Sequence, residues 1–107
     1  MKTFAVLLTL VPNALELRQP YREAHLRHFR ELRDAGRIVL AGPWADKYDG
    51  ALVMFRAESR DEVEQILRDD PYHKANIWPE IIIREWDVIT WSQEAFLAAV
   101  SQGSGAT

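Results

Sequence analysis

The chain contains no cysteine. Disulfides, thiolate nucleophiles and zinc sites built on cysteine are therefore excluded. It also lacks a surplus of positive charge. Thirteen Lys and Arg stand against 16 Asp and Glu, for a formal net charge of -3. No basic patch marks a nucleic-acid surface, so nucleic acid is not an expected partner. Long hydrophobic runs are missing too. The apolar stretch from Thr3 to Val11 ends at Pro12-Asn13. It is too short to cross a membrane and carries no small-residue cleavage site. No internal repeat is visible. What is present is an ordinary globular balance over 107 residues, 48% hydrophobic and 27% charged. That balance fits one domain, and the expected location is the cytoplasm.

The apolar periodicities lay out the elements in order. Thr3 to Val11 alternates as a strand, with Phe4, Val6, Leu8 and Leu10 on one side and the equally apolar Ala5 and Leu7 on the other. A first helix is expected from about residues 18–20 to Ala35, with Pro20 in its first turn and Gly36 just past its end. Its apolar stripe runs through Leu17, Tyr21, Ala24, His28, Leu32 and Ala35, with Phe29 beside it. Arg and Glu fill the other face, and His25 sits at the margin. Ile38 to Leu40 forms a second strand that ends near Ala41-Gly42-Pro43-Trp44. There Gly42 permits a close backbone approach and Pro43 withholds a donor. Ala51 to Ala57 pairs with it as a hairpin. Ser59-Arg60-Asp61-Glu62 reads as a capping box for a second helix. Pro71 disfavours helical backbone at Asp70, which places the end of that helix near Asp69. A turn or short helix follows from Tyr72 to Asn76, then a fourth strand from Pro79 to Ile89. A C-terminal helix is capped by Ser92, and the tail from Gln102 to Thr107 is expected to fray.

The order β-α-β-β-α-β predicts an α+β, ferredoxin-like fold with a four-stranded antiparallel sheet, plus a short C-terminal helix. It divides the chain into a domain over residues 1–90 and a C-terminal helix and tail over 91–107. Right-handed crossovers put the third strand between the first and second, and both helices on one face. The start of the first helix then lies beside the end of the second. His25 and Asp70 meet at one rim, with Gly42, Pro43, Trp44, Tyr72 and Trp78 delivered to the same place. An imidazole, a carboxylate, a close turn and aromatic walls make a small-molecule pocket. The uncovered face of the sheet carries Ala5, Leu7, Leu52, Met54, Ile82 and Trp86. Such a face calls for a cover, and the expected one is a second copy of the chain, with the C-terminal segment as an alternative.

These motifs resemble the YCII-related family of small α+β proteins. The matching residues are Arg22-x-x-His25-Leu26, Gly36-Arg37, Ala41-Gly42-Pro43 and Asp70-Pro71-Tyr72, and the likeness runs from about Thr3 to Val88. The resemblance implies a dimeric α/β-barrel arrangement and an active site that pairs His25 with Asp70. It also implies relationship to muconolactone-isomerase-like enzymes and to dehydrochlorinases of aromatic breakdown. The extension from Trp91 onward departs from the compact family pattern and bears on access to the pocket, so the substrate class is not carried over.

Three readings of the site follow. In the first, His25 is a general base oriented by Asp70, and Arg22, one turn earlier, anchors the substrate. Proton transfer beside a carbonyl then gives an isomerisation or an elimination, with Gly42, Pro43, Trp44, Tyr72 and Trp78 as binding residues. In the second, the protein is a non-catalytic ligand-binding or interaction module, or His25 merely ties the helices together. In the third, His25, His28 and Asp70 or His73 hold a metal, a weak signal because His28 shares the packing stripe. The first is the expected reading, with no metal and no cofactor.

Overall fold

A computed structural model of the chain describes residues 1–101; the expected fraying of Gln102 to Thr107 lies outside the described residues. Strand β1 (Lys2–Thr9) opens the chain. Two short helical pieces follow, α1 (Ala14–Leu17) and a 3-10 turn (Gln19–Tyr21), and then the long helix α2 (Arg22–Asp34). Strands β2 (Ile38–Pro43) and β3 (Gly50–Ala57) form a hairpin. Helix α3 (Arg60–Arg68), the short α4 (Pro71–Lys74), strand β4 (Glu80–Glu85) and helix α5 (Gln93–Ser101) complete it. The sheet order is β2-β3-β1-β4, with antiparallel pairing throughout. This is the expected ferredoxin-like topology.

Alternation in β1 decides which face is covered. Phe4, Val6 and Leu8 are buried, and so are Val53 and Phe55 of β3 and Ile83 of β4. Val63 and Leu67 of α3 close over them. On the opposite face the register aligns Ile82, Leu7 and Leu52 in one row across three strands. Leu7 and Ile82 are exposed. Helix α5 buries none of its residues, and Trp91, Leu97 and Val100 are exposed, so it does not cover this face within the chain.

Four features differ from expectation. Helical backbone starts earlier, at Ala14, and is interrupted at Pro20, which has no N–H to give the carbonyl four residues back. The buried face of α2 is also rotated. His25 is its buried residue, whereas Ala24 and Ala35 are exposed. Strand β4 ends at Glu85 rather than Ile89, and the ladder closes where Trp86 N–H donates to the Thr3 carbonyl, 2.8 Å. In the cap of α3, Ser59 Oγ accepts from the Glu62 amide at 3.2 Å as expected. Glu62 reaches back one residue further, to the Glu58 amide at 3.3 Å.

The close backbone approach assigned to Gly42 occurs at Gly50 instead. A Cβ at Gly42 would meet nothing within 4 Å. One at Gly50 would lie 2.6 Å from the Leu8 carbonyl oxygen and 2.8 Å from Trp44 Nε1. The Leu8 contact is backbone and cannot swing away. Gly50→Ala is therefore expected to destabilise by about 1–3 kcal/mol, and Gly42→Ala by less than about 1 kcal/mol. Urea denaturation of the two variants checks the contrast. Equal midpoints would contradict it.

Candidate active site

Asp70 owes its place to the proline that follows it. Its backbone is extended (φ -74, ψ 134), as a residue before proline prefers, and its carboxylate caps α4 by accepting from the Tyr72 amide at 2.8 Å. The carboxylate is completely buried. Its other neighbour is His25 on α2, whose Nδ1 lies 2.8 Å from Oδ2 and 3.0 Å from Oδ1. An ionised carboxylate has no proton to give, so Nδ1–H is the donor. That leaves Nε2 as the ring nitrogen for exchange with a substrate.

The imidazole is fixed on its faces as well. Tyr72 stacks on it with ring centroids 3.8 Å apart and planes 8° from parallel. Phe29 lies against it at 4.3 Å, and Trp78 presents an edge at 5.7 Å. A ring held by two oxygens and three aromatic neighbours has one orientation.

This group forms part of the wall of a cavity of about 230 Å³, partly open to solvent, between α2 and the β2–β3 side of the sheet. The cavity brings together the expected His25, Arg22, Gly42, Pro43, Tyr72 and Trp78. Asp70 stands behind His25. Trp44 is left out: the hairpin turn, with Trp44 N–H on the Gly50 carbonyl and Tyr48 N–H on the Trp44 carbonyl, carries it away. It is 41% exposed and lies against Gly50. Three of the charged lining residues are not among those expected from the sequence. Arg18, Arg30 and Arg33 line the cavity along with Arg22. The signal was available in their spacing, because positions 18, 22, 30 and 33 fall on one side of a helical wheel, continuous with His25 and Phe29. The apolar stripe puts Arg on the solvated face of the helix, with Arg22 alone expected at the pocket.

His28 and His73 do not join the site. His28 Nε2 donates to the Ile66 carbonyl at 3.1 Å, and neither histidine lines the cavity. Among the described residues, no three His, Cys, Asp or Glu side chains gather as a metal ion requires. Nor is any described helix long and apolar enough to cross a membrane.

Burial pushes the Tyr72 phenol above its ordinary pKa of 10.0, and the Asp70 charge adds to the rise. The Arg18 and Arg22 guanidinium groups pull against it without reversing it. Arg22 is within polar reach of the hydroxyl, though the oxygen lacks a partner in full hydrogen-bond geometry. The folded state thus holds the phenolic proton more tightly than the unfolded state. The corresponding stability is intact below pH about 10 and is lost as pH rises through the raised folded value. Tyr72→Phe should lose less stability than the wild type between pH 9 and pH 11, measured by urea denaturation. Parallel pH curves would contradict the shift.

Residues 2–87 match the YCII-related domain. The chain belongs to that family. A relative in Emericella nidulans, the derivative of benzaldehyde biosynthesis cluster protein C, is 36% identical over 70 residues, 56% of this chain and 71% of that protein. An uncharacterized protein of Haemophilus influenzae is 26% identical over 83 residues, 69% of this chain and 85% of its own length. Among solved structures, the 5-chloro-2-hydroxyhydroquinone dehydrochlorinase of Burkholderia phenoliruptrix AC1100 was captured with 2,5-dihydroxybenzoquinone. It superposes with a TM-score of 0.68 at 28% identity, over 79% of this chain and 93% of that one. The YCII-related fold seen here is thus an α+β, ferredoxin-like arrangement of a four-stranded antiparallel sheet and helices.

Proposed function

We propose that this YCII-related protein is a small-molecule enzyme that moves a proton next to a carbonyl group. The observation that carries the reading is a buried imidazole, locked through Nδ1 to a fully buried carboxylate, in the wall of a cavity. Nε2 of His25 takes a proton from the carbon beside the carbonyl, and the C–H electron pair moves onto the carbonyl oxygen. If the resulting enolate collapses with departure of chloride from the neighbouring carbon, the net reaction is loss of HCl. If His25 returns the proton at another carbon, the product is an isomer. Neither course needs a cofactor. Asp70 holds the ring and offsets the positive charge that His25 gains, and Arg22 attracts the oxygen that becomes negative. Similarity to a dehydrochlorinase supports the elimination branch.

Chloride release from 5-chloro-2-hydroxyhydroquinone and related chlorinated hydroxyquinols tests the reading. Wild-type protein is expected to turn over at least one of them, and His25→Ala to lose about 100- to 10,000-fold in rate while remaining folded. Equal rates for wild type and His25→Ala would remove His25 from the chemistry.

A homodimer belongs to the same proposal. The apolar row of Ile82, Leu7 and Leu52, in which Leu7 and Ile82 are exposed, supports a second copy packed sheet against sheet. Light scattering should give twice the chain mass of 12.3 kDa, and a monomer at working concentrations would overturn this part.

A further inference from the structure

The chain is acidic overall, with 16 Asp and Glu against 13 Lys and Arg. The hollow beside His25 has the opposite balance. Arg18, Arg22, Arg30 and Arg33 line it, and among the described lining residues there is no Asp or Glu. Asp70 is not part of this wall: it is fully buried, with its carboxylate on His25 Nδ1. Arginines elsewhere are matched by acids. Arg60 and Arg68 share Glu64, and Arg37 faces Glu62. Cations gathered on an apolar hollow with no acid on its wall favour the entry of an anion and repel a cation.

The four arginines divide between two ends. Arg18 and Arg22 stand at the His25 end, where both charges act on the Tyr72 phenol that stacks on the imidazole. Arg30 and Arg33 lie five and eight residues further along α2, a rise of about 7.5 and 12 Å from His25. Helical side chains lean back toward the N-terminus, which shortens the span to the imidazole. The turn after α2 leads straight into β2, and Ile38 and Val39 line the cavity there. Arg30 and Arg33 are both exposed. Among the described residues no ion pair engages Arg30. Arg33 pairs with Asp34 at 2.9 Å, an exposed pair of the kind that contributes little and yields readily to a better partner.

We propose that Arg30 and Arg33 bind a carboxylate of the substrate, and that the substrate is a single-ring organic acid. It lies along α2 with its reacting carbon at His25 and its carboxylate at the end where β2 begins. This assignment rests on the acid–base reading and names the substrate class of that same site. Two guanidinium groups suit a carboxylate because their planar forks match its two oxygens. Size agrees. An apolar cavity of about 150 Å³ takes benzene, so about 230 Å³ holds one ring with a small substituent.

Isothermal titration of the full chain with benzoate and with benzamide tests this. The two probes share a planar ring and nearly the same size, but only benzoate carries the charge. Benzoate is expected to bind at least about tenfold more tightly than benzamide. Replacing both arginines, Arg30→Gln with Arg33→Gln, should weaken benzoate about tenfold and change benzamide less than about twofold. Either single variant should show the same selective loss at about threefold. Arg27→Gln removes a charge from an exposed position of the same helix outside the cavity and should change benzoate less than about twofold. Equal affinity for the two probes overturns the proposal, as does an absence of benzoate binding at millimolar concentration. Equal weakening of both probes by the arginine variants would mean that only packing was lost. A loss from Arg27→Gln as large as from Arg30→Gln would mean that net charge, not this site, attracts the anion. Benzoate offers no proton beside a carbonyl and no chloride, so the assay reads the charged end alone. A His25→Ala variant that catalyses as well as the wild type ends the acid–base reading and leaves the benzoate preference standing. Missing benzoate preference in a protein whose turnover depends on His25 ends only this assignment.

Discussion

Asp70→Asn should yield a folded protein whose turnover has fallen by about 10,000-fold, the size of effect that the same exchange has on the histidine of a serine-protease triad. The reasoning lies in the two donors that Asp70 serves, the Tyr72 amide and His25 Nδ1–H. Its Oδ1 accepts from the Tyr72 amide at 2.8 Å. An asparagine oxygen can keep that bond and with it the cap of α4. The other end of the side chain, the nearer oxygen to His25 Nδ1 at 2.8 Å against 3.0 Å for Oδ1, then becomes an NH2 group facing that nitrogen. Two donors cannot bond, so the ring presents its lone pair at Nδ1 and carries its proton on Nε2 instead. The nitrogen needed as base then has nothing to accept with. Shape, volume and cap survive while the tautomer reverses. Thermal unfolding close to that of the wild type, together with the rate loss, is the expected combination. A rate within tenfold of the wild type would mean that Asp70 does not control the tautomer.

Asp70→Ala should fail differently, by losing stability. The α4 cap disappears, at about 1 kcal/mol. The buried Nδ1–H of His25 also loses both oxygen partners, an unsatisfied donor costing about 1–3 kcal/mol. Together these give a loss of about 2–4 kcal/mol, a large part of the roughly 5–15 kcal/mol that holds a domain of this size. Urea denaturation reads it, and a loss under about 1 kcal/mol would contradict the account. The pair of substitutions separates the two duties of one carboxylate: Asn preserves the architecture and removes the chemistry, whereas Ala damages both.

The legible parts of the sequence were those fixed by local, periodic or steric rules. Alternation in β1 gave its buried face. Ser59 and Glu62 marked the start of α3, and Pro71 forced the extended backbone that aims Asp70. Right-handed crossovers then brought His25 and Asp70 together, and the side chains meet at 2.8 Å. The parts that were missed depend on rotation about an axis or on a single interatomic distance. A shift of α2 by a fraction of a turn makes His25 rather than Ala24 its buried residue and turns Arg30 and Arg33 toward the cavity. A glycine has the same letter whether it faces open space, as Gly42 does, or a carbonyl, as Gly50 does. Trp44 was placed by its neighbours in the chain, but the hairpin turn that follows Pro43 directs it elsewhere.

The central claim is that Asp70 holds the His25 proton on Nδ1 and leaves Nε2 as the base. Long-range proton–nitrogen NMR of the ¹⁵N-labelled chain, at a pH where the ring is neutral, reads this directly and needs no substrate. The account predicts a protonated Nδ1 and a bare Nε2 in the wild type, and the reverse in Asp70→Asn. A wild-type ring carrying its proton on Nε2 would contradict it.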